Sequence, residues 1–177
     1  MDRLWAPWRI KYLKASAKKN GGSANICGGK KPKKCIFCKC IKSGHKNYVL
    51  LKSRYSFAVL NIFPYNNGHL MVSPLRHIRE LSQLNNIEIL DLFQTLNNAK
   101  KMLDKALNPD GYNIGLNISS SAGAGETRHL HIHIVPRWRG DVNFMTSLYD
   151  TKVISQSLDE LYKQLREVQK YAKSRTD

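Results

Sequence analysis

Residues 129–138 read His-Leu-His-Ile-His-Ile-Val-Pro-Arg-Trp, and this alternation of imidazole with aliphatic side chains is where the chain concentrates reactive groups. Successive side chains of a strand point to opposite faces, so His129, His131 and His133 would line one face while Leu130, Ile132 and Ile134 enter a core. At about 3.3 to 3.4 Å per residue the rings would stand ~7 Å apart in a row. Half of the six histidines fall in this stretch. A strand built only for packing gains little from such rings, because each costs free energy to desolvate unless it finds a partner. A neutral imidazole, titrating near about 6.5, can attack an electrophilic centre such as phosphorus through one nitrogen while the other donates a hydrogen bond that fixes tautomer and orientation. The row therefore predicts shared chemistry, against the plainer reading of a polar face turned to water.

Two other segments carry candidate groups. Cys35-Ile36-Phe37-Cys38 has the spacing for two thiolates to grip one tetrahedral metal. Residues 118–128, Ile-Ser-Ser-Ser-Ala-Gly-Ala-Gly-Glu-Thr-Arg, form a small-residue loop in which Gly123 and Gly125 permit close backbone approach and Ser119 to Ser121 offer hydroxyls to a phosphate. The loop lacks the lysine of a Walker-type phosphate loop, which excludes that reading.

The elements that must position these groups follow from periodicity. Strands are predicted over Tyr48–Lys52, Ser56–Asn61, His69–Ser73, Tyr112–Asn117 and His129–Val135, with turn chemistry at Phe63-Pro64-Tyr65-Asn66-Asn67-Gly68. Ile89, Leu92, Phe93, Leu96, Met102, Leu103 and Leu107 recur at helical spacing, so an amphipathic helix is predicted over Asn86–Leu107, ended by Asn108-Pro109-Asp110-Gly111. Leu158, Leu161, Tyr162, Leu165, Val168 and Ala172 define a closing helix whose stripe is for packing. Hairpin-linked strands, a helix, two more strands and a helix indicate an antiparallel α+β fold. Residues 1–34 read as a basic N-terminal arm with Lys30-Lys31-Pro32-Lys33-Lys34 at its end, 35–150 as the domain, and 151–177 as a C-terminal helix packed on it.

At 177 residues and 42% hydrophobic content the chain supports one domain with a sizeable core. Its net charge of +16, from 29 Lys and Arg against 13 Asp and Glu, predicts attraction to polyanions without choosing among nucleotides, nucleic acid and anionic membrane. No secretory signal and no membrane-length apolar run is evident, so a cytoplasmic protein is expected, with its four cysteines as reduced thiols or metal ligands.

The run His129-Leu130-His131-Ile132-His133-Ile134-Val135 resembles the signature of the histidine triad superfamily, His-φ-His-φ-His-φ-φ with φ apolar. Asn61-Ile62-Phe63-Pro64, Gly68-His69-Leu70-Met71-Val72-Ser73-Pro74 and His77 occur in the family's order, so the resemblance covers roughly residues 35 to 150. Met1-Asp2-Arg3-Leu4-Trp5 and Pro136 to Met145 resemble a bacterial and archaeal branch that includes diadenosine tetraphosphate phosphorylases. The resemblance implies a histidine triad fold with His131 as nucleophile at an α-phosphate, forming a nucleotidyl-histidine, and His133 against the non-bridging oxygens. It further implies Asn61 at ribose hydroxyls, Asn117 at phosphate, and Ser119, Ser121, Gly123, Gly125 and Trp138 in the nucleotide-binding set. His69 is read as support for the histidine row, and His45 as an exposed loop residue. The resemblance also implies a homodimer. Glu126-Thr127-Arg128 stands where relatives commonly have Ile-Pro, and Ile118-Ser119 where a Gln-Gly pair often follows the strand-end asparagine. These departures touch the phosphate loop and leave open whether water or phosphate accepts the nucleotidyl group.

His77 and His129 would complete a structural Zn2+ site with Cys35 and Cys38, an arrangement that resembles many members of the family. The competing assignment is a four-cysteine knuckle of Cys27, Cys35, Cys38 and Cys40 beside a nucleic-acid-binding basic tract, whose spacings do not reproduce paired Cys-x-x-Cys arms. The leading expectation is a nucleotidyl transferase or hydrolase of dinucleoside polyphosphates. A nucleoside phosphoramidase and a zinc-containing nucleic-acid binder are the alternatives; nucleic acid is the less expected partner because the arm lacks interleaved aromatic and basic residues.

Overall fold

Ser56–Leu60 (β2) and Leu70–Pro74 (β3) are buried at every position, which requires cover on both faces of the sheet they share. The computed structural model describes residues 35–42, 47–142 and 153–173. The basic arm, Cys27, His45 and the Asn143 to Met145 part of the branch-like segment lie outside the described residues. Besides β2 and β3 the elements are α1 (Ile36–Lys42), β1 (Val49–Lys52), α2 (Asn86–Leu107), β4 (Gly111–Gly115), β5 (Ile132–Arg137) and α3 (Leu158–Lys173). The strands form one sheet in the order β1-β2-β3-β5-β4, antiparallel throughout. This is the predicted α+β class.

Strand alternation sorts the side chains into two layers. Ala58, Leu60, Leu70, Val72, Ile132 and Ile134 point to one face, where α2 supplies Leu92, Leu96, Ala99, Met102 and Leu103, and α3 supplies Leu161 and Leu165. Phe57, Val59 and Met71 point to the other face and pack with Cys35 and Phe37 of the N-terminal segment. The second layer is smaller and leaves room for a cavity.

Helix α2 starts where its sequence caps it: the Asn85 side chain accepts from Glu88 N at 2.9 Å and the Glu88 carboxylate accepts from Asn85 N at 3.0 Å. It ends at Asn108 in the left-handed region, followed by Pro109. The predicted stripe is only partly core, since Ile89 and Phe93 are exposed together with Ile87 and Leu90. Gly68, at φ +77°, closes the β2–β3 connection where a Cβ would come within 2.6 Å of Leu107 and 2.9 Å of Pro136. No helix among the described residues is long and apolar enough to cross a membrane.

Two expectations differ from the structure. The strand expected from His129 joins the ladder only at Ile132 and continues through Pro136 to Arg137. The cause is local: Leu130 N donates to Ile78 O at 2.7 Å and Leu130 O accepts from Ser73 Oγ at 2.8 Å, so neither group is available to β3. The Cys-x-x-Cys segment, expected only as the resumption of order, is a helix of seven residues.

Candidate active site

The imidazole row is buried: His129, His131 and His133 are exposed by 1, 5 and 9% and His69 by 0%. The reading of a polar face turned to water therefore fails. The row is also not evenly spaced. His131 and His133 meet edge to face with ring centroids 4.9 Å apart, whereas Phe37 packs against both His129 and His131, at 5.2 and 4.8 Å. Phe37 thus separates one imidazole from the other two.

A chain of hydrogen bonds assigns the proton on each ring. His69 Nδ1 accepts from the backbone N–H of Tyr65 at 3.0 Å and faces Asn61 Nδ2 at 3.3 Å, so it carries no proton. His69 Nε2 must then carry one and donate it to His133 Nδ1, 2.9 Å away. The remaining proton of His133 sits on Nε2, which is buried and has no hydrogen-bond partner among the described residues. An orphaned buried donor of this kind carries a desolvation cost that a ligand acceptor would relieve. His131 is set the other way round. Its Nδ1 donates to His129 O at 2.8 Å, leaving a lone pair on Nε2. A ring nitrogen with a free lone pair and a hydrogen-bond donor therefore lie side by side.

The electrostatics keep these rings neutral. Burial, with the neighbouring imidazoles adding to it, takes His69 down to about 3 and His133 down to about 4. His131 is also lowered by burial, against which its bond to the His129 carbonyl and the charge of Glu126 act in the opposite sense. A neutral ring at working pH keeps its lone pair available.

His131 and His133 open on a cavity of about 400 Å3. One end is apolar, with Ile36, Phe37 and Val59; Asn61 and Tyr65 stand nearer His69, and Gly123, Gly125 and Glu126 supply the loop side. Tyr65 stacks on His133 at 5.6 Å, interplanar angle 26°, and contacts His69 at 4.6 Å. The Asn61 amide also organises the turn, with Oδ1 accepting from Phe63 N at 3.0 Å. The cavity gathers His131, His133, Asn61, Gly123 and Gly125 from the expected set. Half-buried Asn117 approaches the loop at Gly123, with its Nδ2 3.9 Å from where a Cβ would be, but does not line the cavity. Ser119 opens on a neighbouring depression, Ser121 is exposed, and Trp138 sits at the turn after β5 with its N–H on Asp141.

Glu126 and Arg128, which depart from the usual loop sequence, form a clamp. Arg128 bonds the carboxylate through Nε at 3.0 Å, through Nη2 at 3.1 Å and through its backbone N–H at 3.1 Å. Burial would raise the Glu126 carboxyl, but these bonds and the N–H of Ile36 hold it below its ordinary value.

Beside the row, Cys35, Cys38, His77 and His129 present ligand atoms that all lie within 4.8 Å of one another. Cys35 Sγ and Cys38 Sγ lie 3.3 and 3.7 Å from His129 Nδ1, and Cys38 Sγ lies 3.3 Å from His77 Nδ1. A tetrahedral zinc at the usual Zn–S and Zn–N lengths needs sulfur and nitrogen roughly 3.6 Å apart, so the donors fit with little movement. His129 Nε2 donates to Pro74 O at 2.9 Å, which turns the lone pair of Nδ1 toward the thiols. Burial, with the charge of Cys38 adding to it, pushes the Cys35 thiol up to about 11, so a bare pair of thiolates is disfavoured there. The four-cysteine alternative includes Cys27, outside the described residues; Cys40 lines the histidine cavity.

Sequence reasoning missed Phe37, Tyr65 and the Glu126 clamp. Phe37 lies inside the Cys-x-x-Cys segment, and its burial was readable only once that segment was known to be helical.

Fold and site together define an α+β domain in which buried, neutral imidazoles gather beside a cavity, His133 on β5 and His131 and His69 immediately before β5 and β3. A family model described as HIT domain matches residues 43–140, and the chain belongs to that family. It is 37% identical over 159 residues to a protein named AP-4-A phosphorylase from Mycobacterium tuberculosis, covering 89% of this chain and 79% of the relative. An adenosine 5'-monophosphoramidase of Saccharomyces cerevisiae is 33% identical over 58% of this chain and 62% of its own length. Among solved structures, a hypothetical histidine triad nucleotide-binding protein from Sulfolobus tokodaii superposes with a TM-score of 0.64 at 26% identity, covering 78% of this chain and 94% of the other.

Proposed function

We propose that the protein cleaves dinucleoside polyphosphates, diadenosine tetraphosphate first among them, through a covalent nucleotidyl-His131 intermediate. His131 Nε2 attacks the α-phosphorus, a P–N bond forms, and the P–O bond to the nucleoside polyphosphate breaks, that group leaving with the electron pair. An acceptor oxygen then attacks the same phosphorus and the P–N bond breaks. With inorganic phosphate as acceptor the products are ADP and ATP; with water they are AMP and ATP. The donor on His133 Nε2 faces the charge that develops on the non-bridging oxygens, and such a fixed donor needs no reorganisation during reaction. Asn61 is the candidate for the ribose hydroxyls, Gly123 and Gly125 for close approach to the phosphates, and Asn117, Ser119, Ser121 and Trp138 complete the nucleotide set.

The observation that carries this reading is the opposed tautomers: a lone pair on His131 and an unpartnered N–H on His133 in one cavity. Resemblance to a phosphorylase over most of the chain favours phosphate as acceptor. The test is incubation with diadenosine tetraphosphate with and without phosphate, with intact-mass detection of a nucleotidyl adduct. An adduct on the wild type that is absent in His131→Asn supports the proposal; turnover retained in His131→Asn refutes it. Turnover of adenosine phosphoramidate alone would move the assignment to a phosphoramidase.

The same reading includes a structural Zn2+ on Cys35, Cys38, His77 and His129, with no role in activating water since four protein ligands leave no open position. It includes a homodimer, for which the exposed Ile87, Leu90 and Phe93 of α2 and Ile114 of edge strand β4 are the candidate surface; sedimentation tests it. Thiol ligands and a nucleotide substrate suit a reducing cytoplasmic location. Its domain arrangement is a basic arm over 1–34, the catalytic domain over 35–150 and a C-terminal helix packed on that domain.

A further inference from the structure

The loop between β4 and β5 has two working faces. Gly123, Gly125 and Glu126 line the histidine cavity, whereas Ser119, Ser120, Thr127 and Arg128 join Arg79 and Glu80 around a separate depression of about 230 Å3. The Glu126–Arg128 pair spans the two: its carboxylate, 8% exposed, belongs to the cavity, and its guanidinium, 42% exposed, to the depression. Negative charge is thus placed on the side of the nucleophile and positive charge outside it. Glu80 holds Arg79 through Nε at 2.9 Å, which engages one of the five donors of that guanidinium.

A second observation points to the same place. Ser119 has φ +70° and ψ 166°, a region that only glycine occupies without strain. The loop holds it there, since Ser119 O accepts from both Ala122 N and Ala124 N at 3.3 Å. A glycine would satisfy that backbone at lower cost; what serine adds is a hydroxyl among two guanidinium groups and two further hydroxyls.

The geometry points to a second anion site in this depression, one that takes a tetrahedral phosphate group. It rests on the nucleotidyl-transfer reading for its role: it holds the phosphate that is not bonded to His131, whether free inorganic phosphate waiting as acceptor or the distal phosphates of the leaving chain. Arginine and hydroxyl donors match that oxyanion.

The test uses Ser119→Gly and Arg79→Gln in the full-length protein. Ser119→Gly relieves the backbone, so loss of folding does not confound it; Arg79 is 61% exposed and leaves the core untouched. Inorganic phosphate titrated onto the wild type is expected to shift the amide signals of Ser119, Ser120 and Thr127, and each variant is expected to weaken that response about tenfold, the size of one lost charge-assisted hydrogen bond. In turnover, a tenfold rise in KM for phosphate with KM for dinucleotide unchanged identifies the acceptor site. A rise in KM for dinucleotide alone identifies the leaving-chain site. Amide signals that do not move in the wild type, with both KM values unchanged in the variants, overturn the proposal. Failure of the underlying reading has a different signature, namely no nucleotidyl adduct on His131 in the wild type while phosphate still shifts the loop amides.

Discussion

Replacing His69 tests the proton chain that makes His133 a donor. In His69→Leu the Tyr65 N–H loses its acceptor at 3.0 Å and His133 Nδ1 loses its donor at 2.9 Å, both beside a residue with no exposure. Each polar group left unpaired costs about 1–3 kcal/mol, so folding is expected to weaken by roughly 2–6 kcal/mol. Catalysis suffers separately. With Nδ1 released, His133 can hold its proton on either nitrogen, and molecules with the proton on Nδ1 offer no donor to the phosphate. A single transition-state donor is worth about a hundred- to a thousandfold in kcat, which sets the ceiling; partial population of the right tautomer places the expected loss at about ten- to a hundredfold. His69→Gln carries an acceptor and a donor on one side chain and is expected to recover most of the rate. The assay is kcat and KM on diadenosine tetraphosphate, with ring 15N shifts reporting the His133 tautomer. Wild-type kcat in His69→Leu, equal defects in the leucine and glutamine variants, or an unchanged His133 tautomer would each refute the reasoning.

Three further outcomes follow from the same geometry. Chelation of the metal, or Cys35→Ser, is expected to lower stability by about 4 kcal/mol at a thousandfold excess of zinc over its Kd, read as a fall in Tm together with loss of one bound metal per chain; an unchanged metal content contradicts the four-ligand assignment. Gly68→Ala meets both a positive φ and atoms at 2.6 and 2.9 Å, so a loss of about 3 kcal/mol or more is expected in denaturant unfolding. Acid should destabilise the fold early. Unfolded His133 takes up a proton near its ordinary 6.5 while the folded ring resists until about 4, so its contribution is fully present above pH 6.5 and is lost as pH falls toward 4. At 1.36 kcal/mol per pH unit this amounts to roughly 3 kcal/mol, and a His133→Asn variant should show a shallower decline over that window.

The sequence pattern made the core strands and both long helices legible because they rest on periodicity that burial enforces: Leu92, Leu96, Met102 and Leu103 along α2, and Ile132 and Ile134 along β5. The gathering of Cys35, Cys38, His77 and His129 was legible from Cys35-x-x-Cys38 and from the resemblance, which supplied the two histidines. Other features had no periodic trace. Ile89 and Phe93 fit the helical stripe as well as the core residues do, and only tertiary placement turns them outward. Alternation predicted a uniform row of imidazoles, yet Phe37 arrives from a different segment and divides it. The division of the 118–128 loop, with Ser119 and Ser120 on the depression and Gly123 and Gly125 on the histidine cavity, had no trace either, because a one-dimensional loop has no sides until its hydrogen bonds fold it.

His129 links the proposed metal site to the proposed nucleophile. Its ring belongs to the four-ligand cluster, held by Pro74 O through Nε2. Its carbonyl accepts the Nδ1 proton of His131 and so fixes which nitrogen of that ring carries the lone pair. Phe37, on the helix that follows Cys35, packs against both imidazoles. Any force that anchors Cys35, Cys38 and His129 to one centre therefore also sets the carbonyl direction and the aromatic wall that orient His131. Loosening the cluster should disturb the nucleophile through tautomer and orientation, with little change in ring basicity. A metal-free protein would then lose kcat without an equal shift in its pH profile, whereas a metal that acted on the reacting water or phosphate would move both.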